Sequence, residues 1–305
     1  MTLVEIEGRQ LKLSNLEKVL YPETGFTKGQ VLDYYMRIAP ALLRQIRGRP
    51  LTLKRYPNGV HSAFFYEKQC PGHRPPWVQV APVWSGHNVR TINFCLVEDL
   101  PTLIWVANLA SLELHTALHR AIGSRGTPDE TYTPDMVVFD LDPGEPAAFP
   151  ECAVVGLWLR ESLDGLGLES FPKTSGSKGL QLYVPLNTPV TYDQTKSFAR
   201  ALAQIGERAH PKLVVSNMAK ELRKGKVLVD WSQNDEHKTT VSVYSLRARP
   251  QPTVSAPLHW AEVEAAAAGG PVPRIEASEA VRRLEEDGDL FTPLVEMEQH
   301  LPPFG

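Results

Sequence analysis

Blocks of apolar and polar positions along the chain predict an alternation of helices and strands. C-terminal to Thr27, the apolar residues Val31, Tyr34 and Ile38 recur at helical spacing. We therefore predict an amphipathic helix with Thr27 as its N-cap. The next segment, LTLKRYPNGVHSAFFYEKQ, predicts a hairpin that turns at its Pro-Asn-Gly triplet.

The rest of the chain continues this mixture. Asp99 is expected to cap a helix that has Pro101 in its first turn and runs on through residues 102–120. Later patterns predict strands and helices in the order strand 136–139, helix 152–168, strand–turn–strand 170–186, helix 191–209, and strands within 224–233 and 238–249. Strands mixed with helices and hairpins, without a regular βαβ repeat, indicate an α/β (α+β) fold. We expect one domain over residues 1–305 with a cleft.

Composition narrows the class of protein. Of 305 residues, 42% are hydrophobic and 22% charged, as in an ordinary globular protein. Three scattered cysteines predict no disulfide framework, which fits a reducing cytosol. The N-terminus lacks an apolar stretch of signal-peptide length, and no later run approaches a membrane span. We therefore expect a cytoplasmic protein with no membrane partner.

The charge is distributed unevenly. The formal net charge of −3 argues against a protein that coats nucleic acid through bulk positive charge. Three basic runs, RQIRGRPLTLKR, KELRKGK and SLRAR, contrast with a largely acidic last thirty residues. Each run by itself is typical of a solvated surface, and together they favour an anionic ligand only modestly.

Two aspartates end the predicted strand Met136–Phe139. Strand side chains alternate, so Asp140 and Asp142 point to the same face, about 7 Å apart. A turn and a strand-end cap would explain this pair equally well on their own. A second short apolar strand ends on Asp230, however, and three carboxylates delivered by two strands suit a two-metal Mg²⁺ or Mn²⁺ site.

The segment TSGSKG, from Thr174 to Gly179, is a candidate for phosphate binding. Turn amides, the hydroxyls of Ser175 and Ser177 and the ammonium of Lys178 would suit a triphosphate. The segment lacks the spacing of a Walker A loop, and an ordinary glycine hairpin turn explains it as well.

Histidine, cysteine and aromatic positions give weaker signals. His115 and His119 would lie one turn apart on the helix predicted after Asp99, where hydrogen bonding is the default role. Cys70 and His73 form half of a zinc site without a second half, so we predict no zinc. Phe64 and Phe65 adjoin on a strand and should face opposite ways, so one can be core while the other is exposed for base stacking; by itself, core packing is the commoner explanation.

The motifs FDLDPG, TSGSKGL, VDWSQN and YSLRAR, in this order, resemble the polymerase domain of bacterial ATP-dependent DNA ligase D. That domain belongs to the archaeo-eukaryotic primase superfamily and serves non-homologous end joining. The similarity covers nearly the whole chain. It implies a primase-like fold, with mixed and antiparallel sheets flanked by helices around a central cleft, in a stand-alone form. It also implies three parts, namely a 5′-phosphate and DNA-binding part at 1–60, a catalytic core at 100–250, and a proline-rich, then acidic helical tail at 251–305.

The resemblance assigns roles to individual side chains. Asp140, Asp142 and Asp230 would hold two Mn²⁺ or Mg²⁺ ions that align the primer 3′-hydroxyl with the incoming NTP or dNTP. Nucleotide binding would fall to eight side chains: Lys54, His115, Ser175, Lys178, Gln181, Gln233, Arg247 and Arg249.

DNA binding follows from the same resemblance. Asn15, Lys18 and Lys28 match the family's pocket for a 5′-phosphate at a gap or break, and Phe64 or Phe65 would stack on a base. The resemblance implies a primase-polymerase that prefers ribonucleotides, often uses manganese, and works with Ku and a separate DNA ligase.

One residue departs from the family pattern. Where the family often has SGSKGLH, this chain has SGSKGLQ, with Gln181 in place of histidine. Glutamine donates a hydrogen bond but carries no charge, so a charge-assisted contact becomes a neutral, weaker one. We expect weaker triphosphate binding or an altered choice of nucleotide, with activity retained.

Two other functions remain open at this point. FDLDPG also resembles the nucleophile motif of haloacid-dehalogenase phosphatases, but Pro143 replaces the motif's glycine and the position is far from the N-terminus. A degenerate polymerase that only bridges DNA ends is the second alternative. Gln181 favours it, and the intact Asp140, Asp142 and Asp230 argue against it.

Overall fold

A computed structural model describes residues 1–302 of the chain. In this range the strands are β1 (Thr2–Ile6), β2 (Arg9–Leu13), β3 (Val19–Tyr21), β4 (Phe26–Thr27), β5 (Leu51–Arg55), β6 (Phe65–Glu67), β7 (Val80–Ser85), β8 (Arg90–Cys95), β9 (Ser111–Thr116), β10 (Met136–Pro143), β11 (Phe171–Thr174), β12 (Leu180–Pro185), β13 (Val214–Val215), β14 (Val227–Asp230) and β15 (Thr240–Val241). The α-helices are α1 (Lys28–Ile46), α2 (Leu100–Asn108), α3 (Phe149–Asp164), α4 (Tyr192–Ala209), α5 (Trp260–Ala267), α6 (Ala277–Asp287) and α7 (Pro293–Glu296). The predicted mixed α+β fold is confirmed.

The chain divides into two compact units, each assembled from segments that are distant in sequence. Unit 1 consists of Met1–Thr131, Thr239–Ser255 and Ile275–Gly288, and unit 2 of Tyr132–Lys238, Ala256–Arg274 and Asp289–Gly305. The predicted single domain with parts at 1–60, 100–250 and 251–305 remains a prediction. Residues 303–305 of the predicted tail lie outside the described residues.

Unit 1 is built on a six-stranded sheet of order β15-β9-β5-β8-β7, with β6 paired to β5. Helix α1 begins as predicted, because the Thr27 side chain accepts a hydrogen bond from the Gln30 amide and the Gln30 side chain accepts one from the Thr27 amide. The predicted hairpin is also confirmed. β5 and β6 pair with Lys54 opposite Tyr66, and Gly59 takes a positive φ in the connection.

The predicted helix over residues 102–120 is wrong beyond Asn108. Asp99 does cap α2 through the Thr102 amide, but Ala110 adopts a φ of 59° and the chain then enters strand β9. β9 lies between β5 and β15, so two sheet neighbours satisfy its backbone. His115 is consequently a strand residue, and His119 is not one helical turn beyond it. An apolar stretch this short does not distinguish a buried strand from a helix.

Unit 2 contains a five-stranded sheet of order β11-β12-β10-β14-β13, antiparallel except for the β13–β14 pair. Helices α3 and α4 cover one face. Gly156 of α3 lies against Leu180, and Phe198 of α4 packs edge-on against Phe139. The strands predicted at 136–139, 170–186 and 224–233 and the helices predicted near 152–168 and 191–209 are confirmed. Of the strand predicted within 238–249, only β15 forms.

The expectation about cysteines needs correction. Cys70 and Cys95 form a disulfide, and both are buried. The sheet places them together because the Cys70 amide donates to the carbonyl of Asn93 on β8, two residues before Cys95. Since 25 residues separate the pair in sequence, no local pattern indicated it. The remaining cysteine, Cys152, is buried with a free thiol.

Candidate active site

The sheet of unit 2 aligns four polar side chains across neighbouring strands. Asp140 on β10 lies directly opposite Asp230 on β14 and Gln181 on β12, and Gln181 in turn lies opposite Lys173 on β11. Directly opposed residues in antiparallel pairs project to the same face. Because Phe139 points to the helices, these side chains occupy the opposite face of the sheet. Asp142 shares this face, since it follows Asp140 by two residues; we call the five residues the carboxylate face.

Negative charge accumulates on the carboxylate face. Burial and then the charge of Asp142 raise the pKa of Asp140 to about 7, and the charge of Asp230 acts in the same direction. A hydrogen bond from Gln181 and the charge of Lys173 oppose this rise in pKa only in part. Asp140 is therefore a carboxylate that the chain's own residues do not fully compensate.

Asp230 has hydrogen-bond partners on the turn that follows it. Its Oδ1 accepts from the amide of Ser232 at 2.9 Å and from the Ser232 hydroxyl at 2.5 Å, and its Oδ2 accepts from the Gln233 amide group at 3.1 Å. Among residues 1–302, no three His, Cys, Asp or Glu side chains stand closely enough to hold a metal ion as they are arranged. The donor set fits a hard divalent cation in its chemistry, because it consists of carboxylate oxygens that repel one another on one face.

The TSGSKG segment forms the predicted turn between β11 and β12. Ser175 is buried, and its hydroxyl accepts hydrogen bonds from the amides of Ser177 at 3.3 Å and Gly179 at 3.1 Å. Lys178 is exposed and pairs with Glu145 at 2.5 Å. The turn thus presents a lysine at the surface and holds its serine inside.

Gly179 brings this turn against β10. A Cβ at position 179 would overlap the carbonyl oxygen of Leu141 and would stand 3.6 Å from Oδ1 of Asp142. Only glycine permits so close an approach of backbone to backbone. The TSGSKG turn therefore adjoins the carboxylate face.

In unit 1, three residues that sequence assigned to nucleotide binding converge on one buried acid. Glu113 on β9 lies opposite Lys54 on β5. Its Oε1 is 3.5 Å from the Lys54 ammonium, and its Oε2 accepts from His115 Nε2 at 3.0 Å and lies 3.5 Å from Arg247 Nε. We call Glu113, Lys54, His115 and Arg247 the Glu113 cluster. Arg249 is exposed, and its charge helps to lower the pKa of Lys54, for which burial is the main cause.

Aromatic rings surround the Lys54 ammonium. Its Nζ stands 4.4 Å from the ring centre of Phe64, 5.3 Å from that of Tyr56 and 5.6 Å from that of Tyr66, all within cation–π range. Phe65 instead lies over the Arg55 guanidinium at 5.1 Å. The prediction that one phenylalanine is core and the other exposed is wrong, because Phe64 is 49% and Phe65 44% exposed. The two rings do lie beside different residues of β5, Lys54 and Arg55, but neither ring is buried there.

The three residues predicted to bind a 5′-phosphate also lie near one another in unit 1. Lys28, at the start of α1, donates to the Ser14 carbonyl at 2.7 Å, and burial together with the charge of Lys18 lowers its pKa to about 8. The Lys18 ammonium donates to the Asn58 side chain at 2.8 Å. Asn15 adopts a positive φ of 54°, and its carbonyl accepts from the Lys18 amide.

Sequence reasoning missed three residues of these groups. Glu113 was hidden in the segment predicted as a helix, Lys173 was treated as an ordinary strand position, and Tyr66 was overlooked beside the two phenylalanines. Lys173 is fully buried, with its ammonium 5.3 Å from the Tyr183 ring. For Lys173 the available signal was a charged residue inside a predicted strand next to the TSGSKG motif, because such residues are rarely buried without a charge partner.

Comparison with known proteins gives one consistent result. The family model for the LigD primase-polymerase domain matches residues 27–291. The multifunctional non-homologous end joining DNA repair protein LigD of Mycobacterium tuberculosis is 43% identical over 284 residues, which is 93% of this chain and 37% of that protein. The bifunctional non-homologous end joining protein LigD of Bacillus subtilis is 32% identical over 256 residues, covering 84% of this chain and 40% of that protein.

A solved structure agrees. The polymerase domain of M. tuberculosis ligase D in complex with DNA matches with a TM-score of 0.87 and 42% identity, covering 95% of this chain and 99% of that one. The chain spans little more than a third of the length of the first curated relatives that it matches. Within the described part of the chain, no helix combines the length and apolar character that crossing a membrane requires.

Proposed function

Because the chain belongs to the ligase D primase-polymerase family, a family of nucleotidyltransferases, we propose that it fills gaps and extends broken ends in DNA during non-homologous end joining. The observation that carries this proposal is the carboxylate face, where Asp140 and Asp230 oppose each other on adjacent strands and Asp142 lies alongside. A binding module that only bridges ends would not need three carboxylates on one face of a sheet.

Asp140, Asp142 and Asp230 would hold the divalent cations, Mn²⁺ or Mg²⁺, that a polymerase domain requires. When bound, two such ions supply activation of the attacking hydroxyl and stabilisation of the leaving pyrophosphate. The chain's own residues arrange this face. Strand register fixes the three carboxylates, Gln181 hydrogen-bonds Asp140, and Ser232 and Gln233 orient Asp230.

Eight side chains would bind the nucleoside triphosphate. Ser175 and Lys178 come from the TSGSKG turn, where Lys178 would exchange its exposed partner Glu145 for a phosphate. Gln181 and Gln233 hydrogen-bond the catalytic carboxylates, and the remaining four residues are Lys54, His115, Arg247 and Arg249. Lys54, His115 and Arg247 belong to the Glu113 cluster, which contains three basic side chains and one acidic side chain.

DNA would be bound by unit 1. Lys18, Lys28 and Asn15 would hold a 5′-phosphate, because two ammonium groups and a strained loop backbone already lie together there. Phe64 and Phe65 each expose nearly half of their surface beside a cation, which suits base stacking. The finer parts of the proposal are a preference for ribonucleotides, cooperation with Ku and a separate DNA ligase, and action in the cytoplasm.

The test is gap filling on duplex DNA with a one-nucleotide gap and a 5′-phosphate, in Mn²⁺, with ribonucleotides and deoxyribonucleotides supplied separately. We expect template-directed incorporation that Asp140→Ala abolishes while DNA binding is kept. DNA binding without incorporation by the wild-type protein would favour the end-bridging alternative. Release of phosphate from small phosphomonoesters, without incorporation, would instead favour the phosphatase alternative.

A further inference from the structure

Glu113 is a carboxylate that the polymerase reaction itself does not require. It is only 2% exposed and lies between Leu112 and Leu114, which are fully buried. Oε1 accepts from the Ala248 amide at 3.1 Å in addition to facing Lys54, and Oε2 faces His115 and Arg247. An acid buried so deeply is rare unless it is paired, and here three side chains and one amide share it.

The charges of these neighbours dominate the state of Glu113. Burial alone would raise its pKa, yet the hydrogen bond from His115 and the charges of Arg247, His115 and Lys54 hold the pKa well below its usual range. Glu113 therefore stays ionised. Without its charge, Lys54 and Arg247 would face each other as like charges in a poorly solvated place.

The bases have more donors than Glu113 can accept. A lysine ammonium carries three N–H groups and an arginine guanidinium five, whereas a carboxylate offers about four acceptor positions in all. With Lys54 and Arg247 charged, the cluster keeps a net positive charge after Glu113 is counted. The cluster can thus bind an anion through Lys54 and Arg247 while Glu113 fixes the positions of these two side chains.

We propose that Glu113 is a positioning residue of the nucleotide-binding machinery. Its carboxylate holds Lys54, His115 and Arg247 on one side of the unit 1 sheet, in the arrangement that receives the triphosphate. This inference rests on the proposed function, because the three basic residues bind nucleotide only if the chain is a polymerase. Glu113 acts through them and does not touch the substrate.

The experiment measures kcat and KM for the nucleotide in the gap-filling assay. Glu113→Gln keeps the size of the side chain but replaces one carboxylate oxygen with an NH₂ group, whose hydrogens repel the charged groups of Lys54 and Arg247. We expect KM to rise about tenfold, which corresponds to about 1.4 kcal/mol, with kcat changed less, because the basic side chains lose the charged partner that fixes them. Glu113→Asp, which keeps the charge, should restore part of the affinity.

Glu98→Gln is the matched control. Glu98 is also a unit 1 glutamate that accepts a backbone amide, from Gly48 at 2.7 Å, but it contacts none of the bases of the Glu113 cluster. We expect this variant to lose stability and keep the wild-type KM.

A double-mutant cycle separates positioning from general stability. If Glu113 acts through Lys54, then Glu113→Gln should raise KM less in a Lys54→Met background than in the wild type. Equal effects in both backgrounds, or an unchanged KM in Glu113→Gln, would overturn the inference.

Two further outcomes are decisive. Should Glu113→Gln fail to fold, Glu113→Met, a side chain of similar length without charge, carries the test, and a wild-type KM in that variant overturns the inference. Absence of any extension by the wild-type protein would instead refute the proposed function, so the two failures are distinguishable.

Discussion

In unit 1 one buried carboxylate is surrounded by bases, whereas in unit 2 three carboxylates share a face with one buried lysine. The pKa of Glu113 is lowered and that of Asp140 is raised to about 7, although burial pushes both upward. In the Glu113 cluster, the neighbouring basic side chains offset the negative charge of Glu113. The carboxylate face is not compensated in this way, because Lys173 and Gln181 only partly offset the repulsion from Asp142 and Asp230.

This difference separates two kinds of functional site. A compensated cluster is fixed before its ligand arrives and contributes binding through the positive charge that remains. An uncompensated cluster of acids is poised to receive positive charge from outside the chain, which is what a divalent cation provides. Changes in unit 1 should therefore affect mainly KM, and changes on the carboxylate face mainly kcat.

The largest effect is expected for Asp140→Asn. Turnover in gap filling should fall by about 10³-fold, because losing several kcal/mol of metal-derived stabilisation corresponds to that factor. DNA affinity should stay within about twofold of wild type, since the 5′-phosphate residues are untouched. Asp164→Asn, at an exposed position of α3, is the control and should keep full turnover. Robust extension by Asp140→Asn would remove the carboxylate face from the mechanism.

Stability without metal should respond with opposite signs in the two regions. The pKa of Asp140 is raised in the folded state, so ionisation of Asp140 lowers the free energy of unfolding as pH rises from about 4 through 7. The variant Asp140→Asn cannot ionise at this position and should therefore have a higher Tm than the wild type at pH 8. Glu113 has a lowered pKa, so its ionised form stabilises the fold above pH 4 and Glu113→Gln should lower Tm. A change of 1 kcal/mol in the free energy of unfolding shifts Tm by about 2–4 °C in chains of about 150–250 residues, which are somewhat shorter than this one. Calorimetry in chelator checks both variants, and shifts of the same sign would contradict the contrast.

A smaller effect concerns Lys28 and pH. Its pKa of about 8 means that the free protein loses this positive charge as pH rises through that value. The preference for 5′-phosphorylated over 5′-hydroxyl gaps should therefore weaken about fivefold to tenfold between pH 7.5 and 9, as the protonated fraction falls. Lys28→Arg should flatten this dependence, since arginine stays charged. A wild-type preference that is constant over the range would exclude Lys28 from phosphate binding.

The smallest effect is expected for Gln181→His. A histidine opposite Asp140 would turn a neutral contact into a charged one, and the difference of about 1 kcal/mol predicts a KM about fivefold lower. Steady-state kinetics at several pH values on both sides of about 6.5 checks this, because the gain requires protonated histidine and should grow as pH falls. If both KM and turnover match the wild type, Gln181 has no part in nucleotide binding.

Local patterns in the sequence were enough to predict the three aspartates of the carboxylate face, but not its lysine, Lys173. Asp140 and Asp142 lie in the last half of β10 and Asp230 ends β14, each after a short apolar run, and alternation along a strand is a property of neighbouring residues. The register that sets Asp140 against Asp230 joins residues ninety positions apart, so only the fold reveals it.

The Glu113 cluster could not be predicted in the same way. Its centre lies in β9, a segment whose apolar residues suit a helix until the pairing with β5 and β15 decides its conformation. Arg247 approaches Glu113 from a position more than 130 residues away in sequence. The Cys70–Cys95 disulfide escaped prediction for the same reason, since sheet geometry alone brings the two residues together.

Binding of Mn²⁺ to the intact protein, followed by electron paramagnetic resonance in the absence of DNA and nucleotide, tests the contrast between the two regions most directly. We expect the wild-type protein and Glu113→Gln to bind Mn²⁺ with the same affinity, and Asp140→Asn to lose most of that binding. Equal Mn²⁺ binding by Asp140→Asn and the wild type, or a loss confined to Glu113→Gln, would contradict the assignment of the metal to the carboxylate face.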